Sequence, residues 1–198
     1  MGNMFILRNV YIFGMTGQVN DSFLYKGEVY VLSGYTKGEP FSPLDYGFLP
    51  KAATTACWRG FILYFTIEDE ELFLVDMEIN NEEELELNGI KPEIRDQGLR
   101  LYYQNVNLKL EYSGKLLIAK DFIQSMYVHM GFQRASSYET VLELEFKKGN
   151  LISVKDLSSK MKKRRKTQPN EGLEPKSKDE KGIKEWIKDT FSLKYKDE

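Results

Sequence analysis

The chain has 198 residues, 41% of them hydrophobic and 13% aromatic, and its 28 Lys and Arg against 30 Asp and Glu leave a net charge of −2. That length and apolar content suit one domain with one core plus appendages, and so small a net charge excludes a global field that would recruit nucleic acid or a membrane. Cys57 is the only cysteine and His129 the only histidine, which excludes an intrachain disulfide framework, a multi-cysteine metal knuckle and a two-histidine metal site within one chain.

A lone cysteine fits a reducing compartment, and a cytoplasmic location is expected. The opening Met1-Gly-Asn-Met-Phe-Ile-Leu-Arg8 lacks the basic region and apolar stretch of a leader, and no later run approaches the ~20 apolar residues of a membrane span. Neither a signal peptide nor a span is expected. Gly2 invites acylation, but Ile6 stands where that motif requires Ser or Thr.

Residues 5–13 are β-branched and aromatic and predict an opening strand, which Gly14, Gly17, Asn20 and Asp21 interrupt. Phe23-Leu-Tyr-Lys-Gly-Glu-Val-Tyr-Val31 then reads as strand, tight turn, strand, because Lys26-Gly27 supplies the positive φ of a two-residue hairpin loop. The phrase returns over 110–118 with Ser113-Gly114 at the turn, and one residue longer over 144–152. A fourth version, 64–75, carries Glu68-Asp-Glu-Glu71 where the others have glycine. Between the first and fourth versions, the glycine- and proline-broken stretch from Gly34 to Pro50, with Tyr35, Phe41, Tyr46 and Phe48, predicts a long aromatic loop.

Phe61 to Ile67 and Leu72 to Ile79 are predicted strands, with Phe73, Val75, Met77 and Ile79 on the core side of the second. Asn80 to Asn88 is acidic and reads as a loop or short helix ended by Gly89 to Pro92. Leu99 to Tyr103 and Val106 to Tyr112 continue the β pattern, and 121–135 reads as a short helix or irregular segment. Tyr138 to Phe146 alternates cleanly, and its return strand ends near Asp156. The predicted fold is therefore mainly β: antiparallel hairpins forming a sandwich or partly closed barrel over 1–157. A charged flexible linker over 158–182 follows, poor in apolar side chains. Over 183–198, Ile183, Trp186, Ile187 and Phe191 recur at helical spacing and predict a short amphipathic helix, which should dock on something because so short a helix is marginal alone.

No P-loop, Gly-x-Ser-x-Gly, Gly-x-Gly-x-x-Gly or His-Glu-x-x-His motif is present, so no catalytic residue, metal ligand or cofactor is assigned. Asp69, Glu70, Glu71, Asp76 and Glu78 form a dense carboxylate group but lack the glycine-bearing loop of a calcium site, and read as a solvated hairpin tip. The triplet Trp58-Arg59-Gly60 is more specific, since an arginine beside a large aromatic is how interface hot spots are composed. Its competing expectation is structural: Trp58 filling core, Arg59 paired with a local acid and Gly60 permitting a bulge. The candidate binding surface comprises Trp58, Arg59, His129, Gln133, Tyr35 and Tyr46. The basic run Lys160, Lys162, Lys163, Arg164, Arg165 and Lys166 could meet phosphate groups. It carries no interleaved aromatic for base stacking and has acids nearby in the linker, so nucleic acid is not the expected partner.

Thr55-Ala-Cys-Trp-Arg-Gly-Phe61, Leu72-Phe-Leu-Val-Asp-Met77, Tyr127-Val-His-Met-Gly-Phe-Gln133 and Thr140-Val-Leu-Glu-Leu-Glu-Phe146 resemble segments of uncharacterised bacterial proteins that share such phrases. The resemblance spans roughly residues 1–157 and implies no activity. The functional expectation is a non-enzymatic, cytoplasmic protein-binding module with an unidentified protein partner, of which an immunity-like protein is one form; self-association is a further expectation. The alternatives are a small-molecule binder or enzyme with a pocket under the 34–50 loop and, behind it, nucleic-acid binding through 160–166.

Overall fold

Three two-residue turns set the frame of the molecule. Lys26 and Gly27 have φ of 51° and 76°, Asp69 and Glu70 48° and 63°, Lys148 and Gly149 50° and 81°. Such paired left-handed residues match the twist of the strands that they join. They close the hairpins β1 (Ser22–Tyr25) with β2 (Glu28–Tyr35), β3 (Phe61–Glu68) with β4 (Glu71–Ile79), and β9 (Tyr138–Lys147) with β10 (Asn150–Asp156). The remaining strands are β5 (Glu93–Ile94), β6 (Leu101–Tyr103), β7 (Leu108–Lys109) and β8 (Gly114–Phe122). This computed structural model describes residues 17–129, 131–168, 175 and 177–195; the strand expected over 5–13 and the linker residues 169–174 lie outside them.

The strands run in the order β10-β9-β8-β2-β1-β3-β4, and β10 returns to β4 through Asn150 and Glu71, closing a seven-stranded barrel. Within that ring β1 and β3 pair in parallel and the other neighbours are antiparallel. The same edge of β4 that meets β10 also takes β7 and β6, and β5 pairs with β6. The core holds Phe23 stacked on Phe65 at 4.8 Å, and Phe48 edge-on to Tyr103 at 5.6 Å. Phe41 and Phe48, from the long aromatic loop, are buried in that core. Within the same loop Pro43–Tyr46 forms a 3-10 turn.

Three local expectations are corrected. Ser113-Gly114 is a crossover and not a hairpin turn: the residues before it bond to β4, with Leu110 N–H donating to the Leu72 carbonyl, whereas β8 after it pairs with β2 and β9. In β4 the buried side changes partway. Leu72, Leu74, Met77 and Ile79 fill the core, because the register with β3 shifts between Tyr64–Asp76 and Phe65–Leu74 and leaves Val75 as an extra residue. Phe73 is thereby turned away from the core side that simple alternation assigned to it.

The third correction concerns the linker, whose first part is a helix, α1 (Ser158–Thr167). Met161 inserts into a second apolar cluster with Leu117, Ala119, Tyr138 and Val141 on the outer face of β8 and β9. Arg165, one turn on, donates to the carbonyls of Ser136 at 3.1 Å and Tyr138 at 2.8 Å and to the Glu139 carboxylate at 2.8 Å. β8 is thus covered on both faces, which accounts for its continuous apolar run Leu116-Leu-Ile-Ala119.

The terminal helix, α2, spans Glu180–Thr190, capped by the Asp179 carboxylate, which accepts from Gly182 N–H at 2.7 Å. The chain beyond it packs on its own barrel: Leu193 is buried in the core, Tyr35 N–H donates to the Leu193 carbonyl at 2.8 Å, and Tyr195 N–H to that of Tyr35 at 3.0 Å.

Candidate functional site

Asp21 leads into β1 and Arg59 nearly abuts β3, and the parallel pairing of these strands brings them to one barrel mouth. The Arg59 guanidinium grips the Asp21 carboxylate at two points, 3.0 and 2.8 Å, and Leu63 N–H donates to the same carboxylate at 2.9 Å. The two side chains are 18% and 2% exposed. The guanidinium also lies over the rings of Phe61 and Phe132, 4.7 and 5.3 Å from their centroids. Burial opposes charge on Arg59, but Asp21 outweighs it and holds the guanidinium above its ordinary pKa. Arg59 is therefore a buried tie between two strands and is withdrawn from the candidate binding surface.

Tying Arg59 inward sends Trp58 outward. Cys57, on its other side, is buried with its thiol 3.6 Å from the Phe61 carbonyl, and burial pushes that thiol's pKa up. Gly60 makes the sharp entry into β3 at φ 75°, where a Cβ would come within 2.2 Å of the Lys51 carbonyl oxygen. Backbone anchors fix the segment: Trp58 N–H donates to the Gln18 side-chain oxygen at 3.0 Å, the Gln18 amide donates to the Thr55 carbonyl at 2.8 Å, and Val19 N–H to that of Ala56 at 2.8 Å. On this support Trp58 stands 57% exposed, stacked on Phe191 with centroids 4.9 Å apart and planes 19° from parallel. The tryptophan is neither core filler nor a loosely held surface residue.

Residues 127–129 and 131–133 meet the same region. Gln133 is buried and clamps them, accepting from Val128 N–H at 3.0 Å and donating to the Val128 carbonyl at 2.8 Å. Phe132, beneath Arg59, donates its N–H to the Thr190 carbonyl at the end of α2. His129 is exposed and packs edge-on against Tyr127 at 5.1 Å. Of the sequence-predicted surface, Trp58 and His129 are presented outward, while Arg59, Gln133 and Tyr35 are structural. Tyr46 is exposed and packs on Phe41 at 4.9 Å. Gln18 and Asp21 escaped sequence reasoning, Asp21 sitting in a segment read only as a strand breaker and Gln18 carrying no motif, whereas Phe191 enters it only as part of the terminal helix's apolar stripe.

Beside Trp58, Ala52, Ala53, Thr54 and Thr55 line an open hollow of about 350 Å³. On α2, Ile183 and Ile187 are exposed and share with Phe191 the spacing of one helical stripe, so apolar surface extends about 12 Å from Ile183 to the Trp58–Phe191 stack. A second groove, of about 470 Å³, runs between Tyr25, Lys26, Ile67 and Glu70 on the hairpin side and 151–154 of β10. The carboxylates expected at a solvated tip take separate partners: Asp76 accepts from Tyr102 O–H at 2.8 Å, Glu78 from Tyr64 O–H at 2.8 Å, and Glu71 pairs with Lys109.

Neither a family model, nor a curated protein, nor a solved structure matches the chain. Among the described residues no helix is long and apolar enough to cross a membrane.

Proposed function

We propose that this barrel is a binding module that recognises another protein through the Trp58–Phe191 surface, without chemistry of its own. The observation that carries the proposal is a large aromatic, 57% exposed, held in place by backbone anchors and by stacking on a second ring. Rigid, pre-positioned aromatics lose little freedom on association and are the side chains on which interface energy concentrates. Ile183 and Ile187 extend the apolar area, and Lys184, Glu185, Lys188 and Asp189 give α2 a rim of mixed charge. The hollow floored by small residues beside Trp58 has room for a side chain from the partner. Neutralising a harmful protein, as bacterial immunity proteins do, is one form such a module takes.

The test is affinity purification of the tagged chain from its own host, beside Trp58→Ala. A stoichiometric co-purifying protein that is lost in the variant, while the variant still unfolds cooperatively, is expected. No co-purifying protein, or one that the variant retains, would defeat the proposal.

A further inference from the structure

We infer that α1 is a docking surface for the phosphate backbone of nucleic acid. In the sequence its cations look like part of a solvated linker; in the structure they are held on a helix fixed to the barrel through Met161 and Arg165. Ser158–Thr167 contains six cations and no acid. One of the six, Arg165, is consumed by the anchor. Lys160, Lys162, Lys163 and Lys166 are exposed, and among the described residues Lys162, Lys163 and Lys166 have no ion-pair partner.

Helix stability does not account for this arrangement. Lys163 with Lys166 and Lys162 with Lys166 are like charges three or four residues apart, which repel on a helix. A polyanion relieves that repulsion. From Lys162 to Lys166 the rise is about 6 Å, and a DNA strand places a phosphate every ~3.4 Å of axis, so the three lysines match roughly two to three successive phosphates. The sole apolar side chain of α1, Met161, is buried in the protein, so the helix has no apolar face to insert into a lipid surface. With no aromatic on the helix the contact is to phosphates and independent of sequence.

Fluorescence anisotropy of the full chain against mixed-sequence duplex DNA and duplex RNA, from 50 to 200 mM salt, tests this. About three contacts give a slope of log K on log salt near −2.7, or roughly a 40-fold loss of affinity across that range. Lys162→Glu with Lys163→Glu and Lys166→Glu, which leaves Met161 and Arg165 intact, should lower affinity at least tenfold and flatten the slope. The corresponding triple Gln variant should fall between, and near-ultraviolet circular dichroism should show both variants folded. Absence of binding at 50 mM salt, binding unchanged by the triple reversal, or binding to phosphatidylserine vesicles in preference to either duplex would overturn the inference.

Discussion

Replacing Arg59 with methionine separates a structural arginine from a recognition arginine. The substitution roughly conserves the side chain's apolar length while removing two of the three hydrogen bonds that Asp21 accepts, those at 2.8 and 3.0 Å, and leaving only the one from Leu63 N–H. Asp21 is 2% exposed, so water does not replace the lost donors without local opening. Leaving one member of a buried ion pair uncompensated costs about 3–5 kcal/mol, a large part of the roughly 5–15 kcal/mol that holds a domain folded. Urea unfolding at neutral pH should show that loss as a lowered midpoint with an unchanged slope. Pairing Arg59→Met with Asp21→Asn should recover part of it, with a coupling of at least about 2 kcal/mol in a double-mutant cycle. A single-variant loss below about 1 kcal/mol would refute the reasoning, because it would place Arg59 among weakly held surface cations.

Other consequences concern the barrel itself. Asp69 and Glu70 occupy left-handed conformations without glycine; replacing the pair with Asn-Gly should stabilise the chain by about 1 kcal/mol, and an unmoved denaturation midpoint would contradict that. Gly60→Ala places a Cβ 2.2 Å from the Lys51 carbonyl oxygen at a φ of 75° and should cost roughly 2 kcal/mol or more in the same assay. Burial pushes the Tyr103 hydroxyl up to about 12 from an ordinary value near ~10. The folded chain therefore holds that proton more tightly than the unfolded chain, and stability declines as pH rises from about 10 toward 12. Tyr103→Phe forfeits the hydrogen bond to the Leu85 carbonyl, a loss of about 1 kcal/mol at neutral pH. Its alkaline decline should be shallower by roughly 2–3 kcal/mol, and an equally steep decline would count against the burial argument.

The sequence reveals what local chemistry determines and hides what distant pairing decides. Alternation and Lys-Gly turns mark β1–β2 and β9–β10, and alternation alone exposes β3–β4 despite its acidic turn. The same glycine signal misleads at Ser113-Gly114, where β7 and β8 lie against different neighbours and only the barrel's closure makes the crossover necessary. One extra residue at Val75 is enough to exchange the faces of β4, since side-chain direction repeats every second residue. Helix α1 gives no periodic apolar signal because its inward anchors are one methionine and one arginine. At the candidate site, the Trp58-Arg59-Gly60 triplet stands out by composition. Which of its side chains turns outward depends on Asp21, 38 residues away in the chain. Arg59 does pair with an acid, but with the distant Asp21 and not with the local acid expected, and Trp58, expected to fill core, is exposed.

The most direct test of the Trp58 surface as the place of recognition is to install a photo-crosslinking amino acid there in the host and compare it with the same group at Ile152, an exposed apolar position on β10. The proposed function predicts one dominant crosslinked protein from position 58 and none of that mass from position 152. The same product from both positions, or a product from position 152 alone, would contradict it.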